Sequence, residues 1–300
     1  MARHWIAVAV VATLAACSGG SDSGRSALVA GPGTPPTDPD GDTPSPSPSP
    51  SDSVSTIDED GEARSISYDA ATDTFIVDNL PFDGDGKYDR DDVLASIGPF
   101  AVYENNNTTE RRAYKAIRAE GPSGETRVAV VRSGDYEGTG FGGFLFARDG
   151  GVTLPSTGQA TYTGDYAGLR VFDGVSGLEF TEADALIEID FEDFNAGDAV
   201  EGVLTNRRIL DQSGNLIGTL PALVLATGSI SPDGQISGTG GSDIFDPGRG
   251  EVVDFESGEY VGVIADDAGE VVGIVEVTGT EISGAERDFL ETGAFVATSP

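Results

Sequence analysis

One stretch constrains the fold more than any other. In Ala185-Leu-Ile-Glu-Ile-Asp-Phe-Glu-Asp-Phe194, Ile187, Ile189 and Phe191 fall on one side while Glu188, Asp190 and Glu192 fall on the other. Side chains of a strand alternate between faces, so this period of two marks a half-buried antiparallel strand. Shorter runs of the same kind recur at residues 74–77, 100–103, 127–132, 144–147, 199–204, 220–227, 258–264 and 270–278. Turn formers separate many of them: Pro122-Ser-Gly, Arg148-Asp-Gly-Gly151, Gln212-Ser-Gly, Pro232-Asp-Gly and Asp266-Asp-Ala-Gly269. Strands punctuated this way predict an all-β antiparallel sandwich or barrel. The 42 glycines suit tight turns and sharply curved strands. Helix is expected only at residues 109–119 and 285–291, and the first of these reads equally as a strand.

Charge and composition narrow the function. A formal charge of −34 repels nucleic acid and anionic lipid headgroups, which excludes nucleic-acid binding. The acidity is spread along the chain, as expected of a solubilising surface; calcium or a basic partner is the other reading. Residues 18–60 are dominated by Ser, Gly, Asp and Pro and culminate in Thr43-Pro-Ser-Pro-Ser-Pro-Ser-Pro50. Too little apolar surface is present there to offset ordering entropy, so a disordered tether is expected. Fully stretched it would reach roughly 130 Å, at about 3.1 Å per residue.

The first residues carry an address. Met1-Ala-Arg3-His4 is a short basic start, and Ile6 to Ala16 is an apolar run too short to span a bilayer. The run closes on Leu14-Ala15-Ala16-Cys17, which resembles the lipobox of bacterial lipoproteins. That resemblance implies diacylglycerol and palmitate-type acylation of Cys17, cleavage before it, and a membrane anchor. Ser18 after the cysteine implies sorting to the outer membrane. Two or three acyl chains, at about 0.8 kcal/mol per buried methylene, make such attachment effectively permanent. Cleavage removes His4, Trp5 and Met1, the only residues of their kinds, and leaves the sole cysteine lipidated. Serine or cysteine nucleophiles paired with histidine, His/Cys zinc sites and haem ligated by His, Met or Cys are thereby excluded. No cofactor is expected, and the chain is not expected to be an enzyme.

Two further segments resemble one family. Gly158, Ala160, Tyr162, Gly164 and Gly168 follow the G-x-A-x-Y-x-G pattern, with a further glycine, that opens the β-barrel of transferrin-binding-protein-like surface lipoproteins. Gly258-Glu-Tyr-Val-Gly262, then Glu270-Val-Val-Gly273, resembles that family's closing hairpin. The resemblance covers residues 152–300. It implies an eight-stranded-type antiparallel barrel preceded by a smaller β-domain, and display on the cell surface. The expected organisation is a signal peptide at 1–16, lipidated Cys17 with its tether at 17–60, a smaller β-domain at 61–151, and a barrel at 152–300. Members of the family have two lobes, each a handle plus a barrel, and this chain has length for one. Their ligand-holding handle loops find no residue-by-residue match here.

Other motifs point less far. Asp83-Gly-Asp85-Gly-Lys-Tyr-Asp89-Arg-Asp91-Asp92 is dense in carboxylates, but Lys87 occupies the fifth position of an EF-hand loop. A solvated acidic loop is expected instead. Gly138-Thr-Gly-Phe-Gly-Gly143 lacks a phosphate-binding lysine and reads as a turn. Asn106 and Asn107 lie in N-x-T sequons, which mean little in a bacterial-type protein. The favoured reading is a surface binding lipoprotein for an extracellular protein or small molecule, with an exposed aromatic cluster in which Tyr88, Tyr136 and Phe141 are candidates. Alternatives are a non-binding coat lipoprotein and a carboxylate-based glycosidase using pairs such as Glu188 and Glu192.

Overall fold

The computed structural model describes residues 63, 65–78, 80–81, 83–105, 114–134, 138–193, 198–281 and 287–300. The signal segment 1–16, Cys17, the tether to residue 60, the two sequons and Tyr136 lie outside the described residues.

The described residues are all β apart from one turn of 3-10 helix at Asp266–Ala268. The first eight strands are β1 (Ser65–Asp69), β2 (Thr74–Asp78), β3 (Lys87–Arg90), β4 (Ser96–Ile97), β5 (Phe100–Glu104), β6 (Tyr114–Glu120), β7 (Thr126–Ser133) and β8 (Gly142–Arg148). They form one antiparallel sheet in the order β1-β2-β3-β5-β6-β7-β8, with β4 folded back on β5. The remaining strands are β9 (Gln159–Phe172), β10 (Val175–Asp190), β11 (Val200–Leu210), β12 (Leu216–Thr219), β13 (Leu223–Ile230), β14 (Gln235–Asp246), β15 (Glu251–Ala265), β16 (Glu270–Thr280) and β17 (Asp288–Thr298). All but β12 close into an eight-stranded antiparallel ring, sealed where β10 meets β11 and where β17 meets β9. β12 hangs on β11 beyond the end of β13.

Where they are described, the first helix candidate takes its strand alternative and the second is overturned. Residues 114–119 lie in β6, and 288–291 lie in β17. Each segment pairs on both edges, β6 with β5 and β7 and β17 with β16 and β9, and this ladder outweighs local helix propensity. In β10 the alternation holds: Ile187, Ile189 and Phe191 are buried, while Glu188 and Glu192 are exposed.

Inward positions of the barrel pair large rings with bare backbone. Tyr162, Tyr166, Tyr260 and Phe295 are buried inside, packed with Ile187, Leu204, Ile236 and Val275. A Cβ at Gly238 would come within 2.5 Å of the Tyr260 ring, and one at Gly273 within 2.5 Å of the Phe295 ring. Of the motif glycines, Gly273 makes room for a ring from the adjacent strand, while Gly164, Gly258 and Gly262 face neighbouring backbone too close for a side chain. The result is a packed interior, not a pore.

The outer wall of the barrel supplies the floor for the small sheet. Phe100, Val102, Ile117, Val128 and Val130 pack onto Leu169, Val171, Phe180, Ile274 and Ala294, which point outward from the barrel. The other face of the small sheet closes over its own core of Phe75, Tyr88, Tyr103, Tyr114 and Val131. Fully burying each such side chain is worth about 1.5–3 kcal/mol. A polar clasp reinforces the junction. The buried carboxylate of Glu270 accepts hydrogen bonds from Ser123 N (2.9 Å), Ser123 Oγ (2.8 Å) and Thr126 Oγ1 (2.5 Å) in the β6–β7 turn.

Candidate binding surface

The residues singled out from sequence are not brought together. Tyr88 is fully buried, edge-on to Phe75 and Tyr114 at ring distances of 6.0 and 6.3 Å, so it cannot sit in an exposed cluster. Phe141 is half-buried against the same core. The reason is register: Tyr88 lies directly opposite Phe75 on β2, and the inward face of that pair is the apolar one.

The acidic loop is solvated at Asp85, Asp89 and Asp92, but Asp83 and Asp91 are buried. Asp91 pairs with the Lys115 ammonium at 2.5 Å and accepts the amides of Val93 and Leu94. Burial pushes the Asp83 carboxyl up to about 6, partly offset by the Tyr88 hydroxyl that donates to it at 3.4 Å. No grouping of three or more His, Cys, Asp or Glu suited to a metal occurs among the described residues. Gly138 to Phe141 lead into β8, whose first residues are Gly142 and Gly143, with positive φ at Gly138 and Gly140.

Sequence reasoning missed an ionic layer across the barrel interior. Arg207 is fully buried between Glu256 and Glu291, reaching Glu291 at 3.2 Å. Tyr166 Oη donates to Glu291 at 2.8 Å, Thr181 Oγ1 at 2.9 Å, and Ser242 Oγ donates to Glu256 at 2.8 Å. Burial opposes the charge of Glu291, but the Arg207 guanidinium prevails and holds its carboxyl below the usual range. Burial, with the Glu291 charge beside it, drives the Tyr166 hydroxyl well above its ordinary value. One irregularity makes this layer possible. Between the pairs Glu182↔Arg208 and Asp184↔Thr205, β11 carries an extra residue, and Asn206 there takes a positive φ of 53°. The bulge turns Arg207 inward, a re-aiming that strict alternation does not reveal. Above the layer, Arg170 stacks against Phe289 at 3.9 Å from the ring centre, with Phe172 and Phe255 alongside.

With the interior filled by these groups, the outer surface is what the barrel presents to other molecules. Its exposed large apolar side chains, among the described residues, are Val93, Leu216, Ile217, Val224, Phe245 and Val252. Topology gathers them toward one end of the molecule. Phe245 and Val252 are directly paired near the tip of the β14–β15 hairpin, which runs past the last paired residue of β13. β12 lies along the same edge of β11 as β13, carrying Leu216 and Ile217 to that end. The β11–β12 turn abuts the small sheet's loop: a Cβ at Gly214 would lie 2.9 Å from Leu94 Cδ1, next to Val93. A sequence signal for this surface existed in Asp243-Ile-Phe245 and Val252-Val-Asp254, where acid and apolar residues share one face across a glycine-rich turn.

A cleft of about 690 Å³ lies nearby, between the β4–β5 hairpin and the barrel wall, lined by Ile97, Asp165, Glu182, Asp184, Asn206 and Arg208. Its charged groups are largely engaged with one another: Arg208 meets Glu182 at 2.9 Å, and Asn206 donates to Asp184 at 2.6 Å. The glycosidase pair Glu188 and Glu192 stands in the open at the opposite end of the barrel, on and just beyond the outward face of β10.

No family model matches the sequence, and no curated protein does. Solved structures do. A single-site mutant of Transferrin Binding Protein B from Haemophilus parasuis Hp5 matches with a TM-score of 0.39 and 13% identity, covering 76% of this chain and 41% of that one. Intact Ap-TbpB, with its N and C lobes, matches with a TM-score of 0.36 and 12% identity over 79% of this chain and 44% of that one. A structure described as a surface lipoprotein matches with a TM-score of 0.33 and 14% identity over 59% and 76%. The chain spans about two fifths of the length of the first Transferrin Binding Protein B structures it matches. Transferrin Binding Protein B, which these matches name, is also the kind of protein that the glycine-spaced opening and closing barrel strands resemble.

Proposed function

We propose that this chain is a surface-displayed lipoprotein that binds an extracellular protein. Acyl groups on Cys17 moor it to the outer membrane, and residues 17–60 serve as a tether. Residues 61–151 form a smaller β-domain and 152–300 the barrel that carries the binding surface. The observation that supports this reading is the gathering of exposed apolar side chains at one end of an otherwise acidic molecule. Soluble proteins rarely leave contiguous apolar patches bare unless something covers them. A coat whose acidity is its whole function gives no reason for Phe245 and Val252 to face water together.

Photo-crosslinking on intact cells tests the reading. A benzophenone side chain is installed at position 245 of the full chain, and separately at Glu188, at the far end of the barrel. A discrete protein adduct from position 245, absent from position 188, is the expected result. Equal labelling from both sites, or none from 245, removes the basis for a binding surface there.

A further inference from the structure

The surface around Phe245 also carries information about the chemistry of its partner, an inference that rests on the binding reading above. On the outward face of the β14–β15 hairpin, Asp243 lies directly opposite Asp254, one step along from the Phe245↔Val252 pair. Both carboxylates are exposed, and neither carries an ion pair among the described residues. Like charges directly opposite on one sheet face are destabilising. Glu251 is exposed at the tip, and Asp92 is exposed beside Val93. The only nearby cation of the hairpin, Arg249, is committed to Asp246 at 3.2 Å. An apolar centre is thus ringed by carboxylates that the chain itself leaves uncompensated.

We propose that this face docks a protein surface with an apolar centre and a basic rim. Phe245 is the anchor, since a large ring at the middle of a patch yields most of the burial energy on docking. Asp243 and Asp254 are relieved of mutual repulsion when lysine or arginine from the partner comes between them. Charge complementarity of this kind steers encounter and rejects wrong partners. A second copy of the chain is disfavoured, because a symmetric contact would bring the same acids face to face. Nucleic acid and anionic membranes are rejected for the same reason.

The test uses the full chain and three synthetic amphipathic peptides sharing one apolar face, flanked by lysine, glutamine or glutamate. Binding is read by fluorescence anisotropy at low and at physiological salt. The lysine peptide is expected to bind about tenfold or more tighter than the glutamine peptide, with the glutamate peptide weakest. The preference collapses in Asp243→Asn/Asp254→Asn, and all binding is lost in Phe245→Ser/Val252→Ser. Unfolding midpoints of both variants serve as the control for folding; these side chains are exposed, so the midpoints hold. Patch-dependent binding that ignores peptide charge overturns the basic rim and leaves the binding reading standing. Lysine-peptide binding that survives Phe245→Ser/Val252→Ser is diffuse attraction to an acidic chain and overturns the proposal. Absence of patch-dependent binding to any peptide overturns the proposal and the binding reading together. Self-association in sedimentation, abolished by Phe245→Ser/Val252→Ser, makes a second copy the occupant and overturns the partner class alone.

Discussion

Arg207 and Asp83 are two buried charges with opposite consequences. Arg207 meets two carboxylates, so its charge is compensated at both ends. Removing one member of a buried ionic cluster leaves the others unpaired, which costs about 3–5 kcal/mol. Arg207→Met is therefore expected to lower the unfolding free energy by about that amount in urea titrations; a loss below about 1 kcal/mol would show the layer to be structurally idle. The Asp83 carboxyl has no cationic partner among the described residues; the Tyr88 hydroxyl donates to it, and it is raised from 3.8 to about 6. The native state then holds a proton that the unfolded state has released. Stability associated with this group is complete below about pH 4 and is lost as pH rises through about 6. Asp83→Asn should flatten that part of the stability profile. An unchanged slope between pH 4 and 6 would assign the titration to another group.

At the scale of elements, the small sheet and the barrel share a core, and the Glu270 clasp sets where the β6–β7 turn lies. Hydrogen bonds to a charged acceptor are each worth about 1.5–3 kcal/mol, and their loss is felt locally when packing elsewhere holds. Glu270→Ala is expected to raise amide exchange in residues 121–126 about tenfold or more, with the β9–β17 ladder unaffected. Uniform acceleration throughout the barrel would instead make Glu270 part of global stability. Strand placement was largely legible from alternation, because one face of each strand is buried and the register has only one apolar side. The bulge at Asn206 was not legible. An extra residue inside a ladder obeys no period, and Asn-Arg-Arg reads as an ordinary polar stretch. Tyr88 was misplaced for a different reason: its charged surroundings suggested a loop, whereas regular pairing with Phe75 drew it inside.

For the whole molecule, the acidic surface bears on the anchor we propose. A chain of charge −34 has no affinity for an anionic membrane, so the proposed attachment would have to come from lipid. Cys17→Ser in the full chain is expected to release the protein from membranes, or to leave an unprocessed chain heavier by the signal segment; fractionation with intact-mass measurement checks this. A Cys17→Ser chain that keeps both its membrane attachment and its mature mass would refute lipidation at this position. Composition and alternation alone determined that the chain is acidic, built of antiparallel strands, and poor in the residues that most catalysis uses. These are local properties, set by side-chain chemistry and a period of two. Only the tertiary structure decided which strands close the ring, which arginine enters it, and that Phe245, Val252, Leu216 and Ile217 reach one end uncovered. Those outcomes depend on contacts between residues far apart in the chain, where a single extra residue reverses which way every later side chain points.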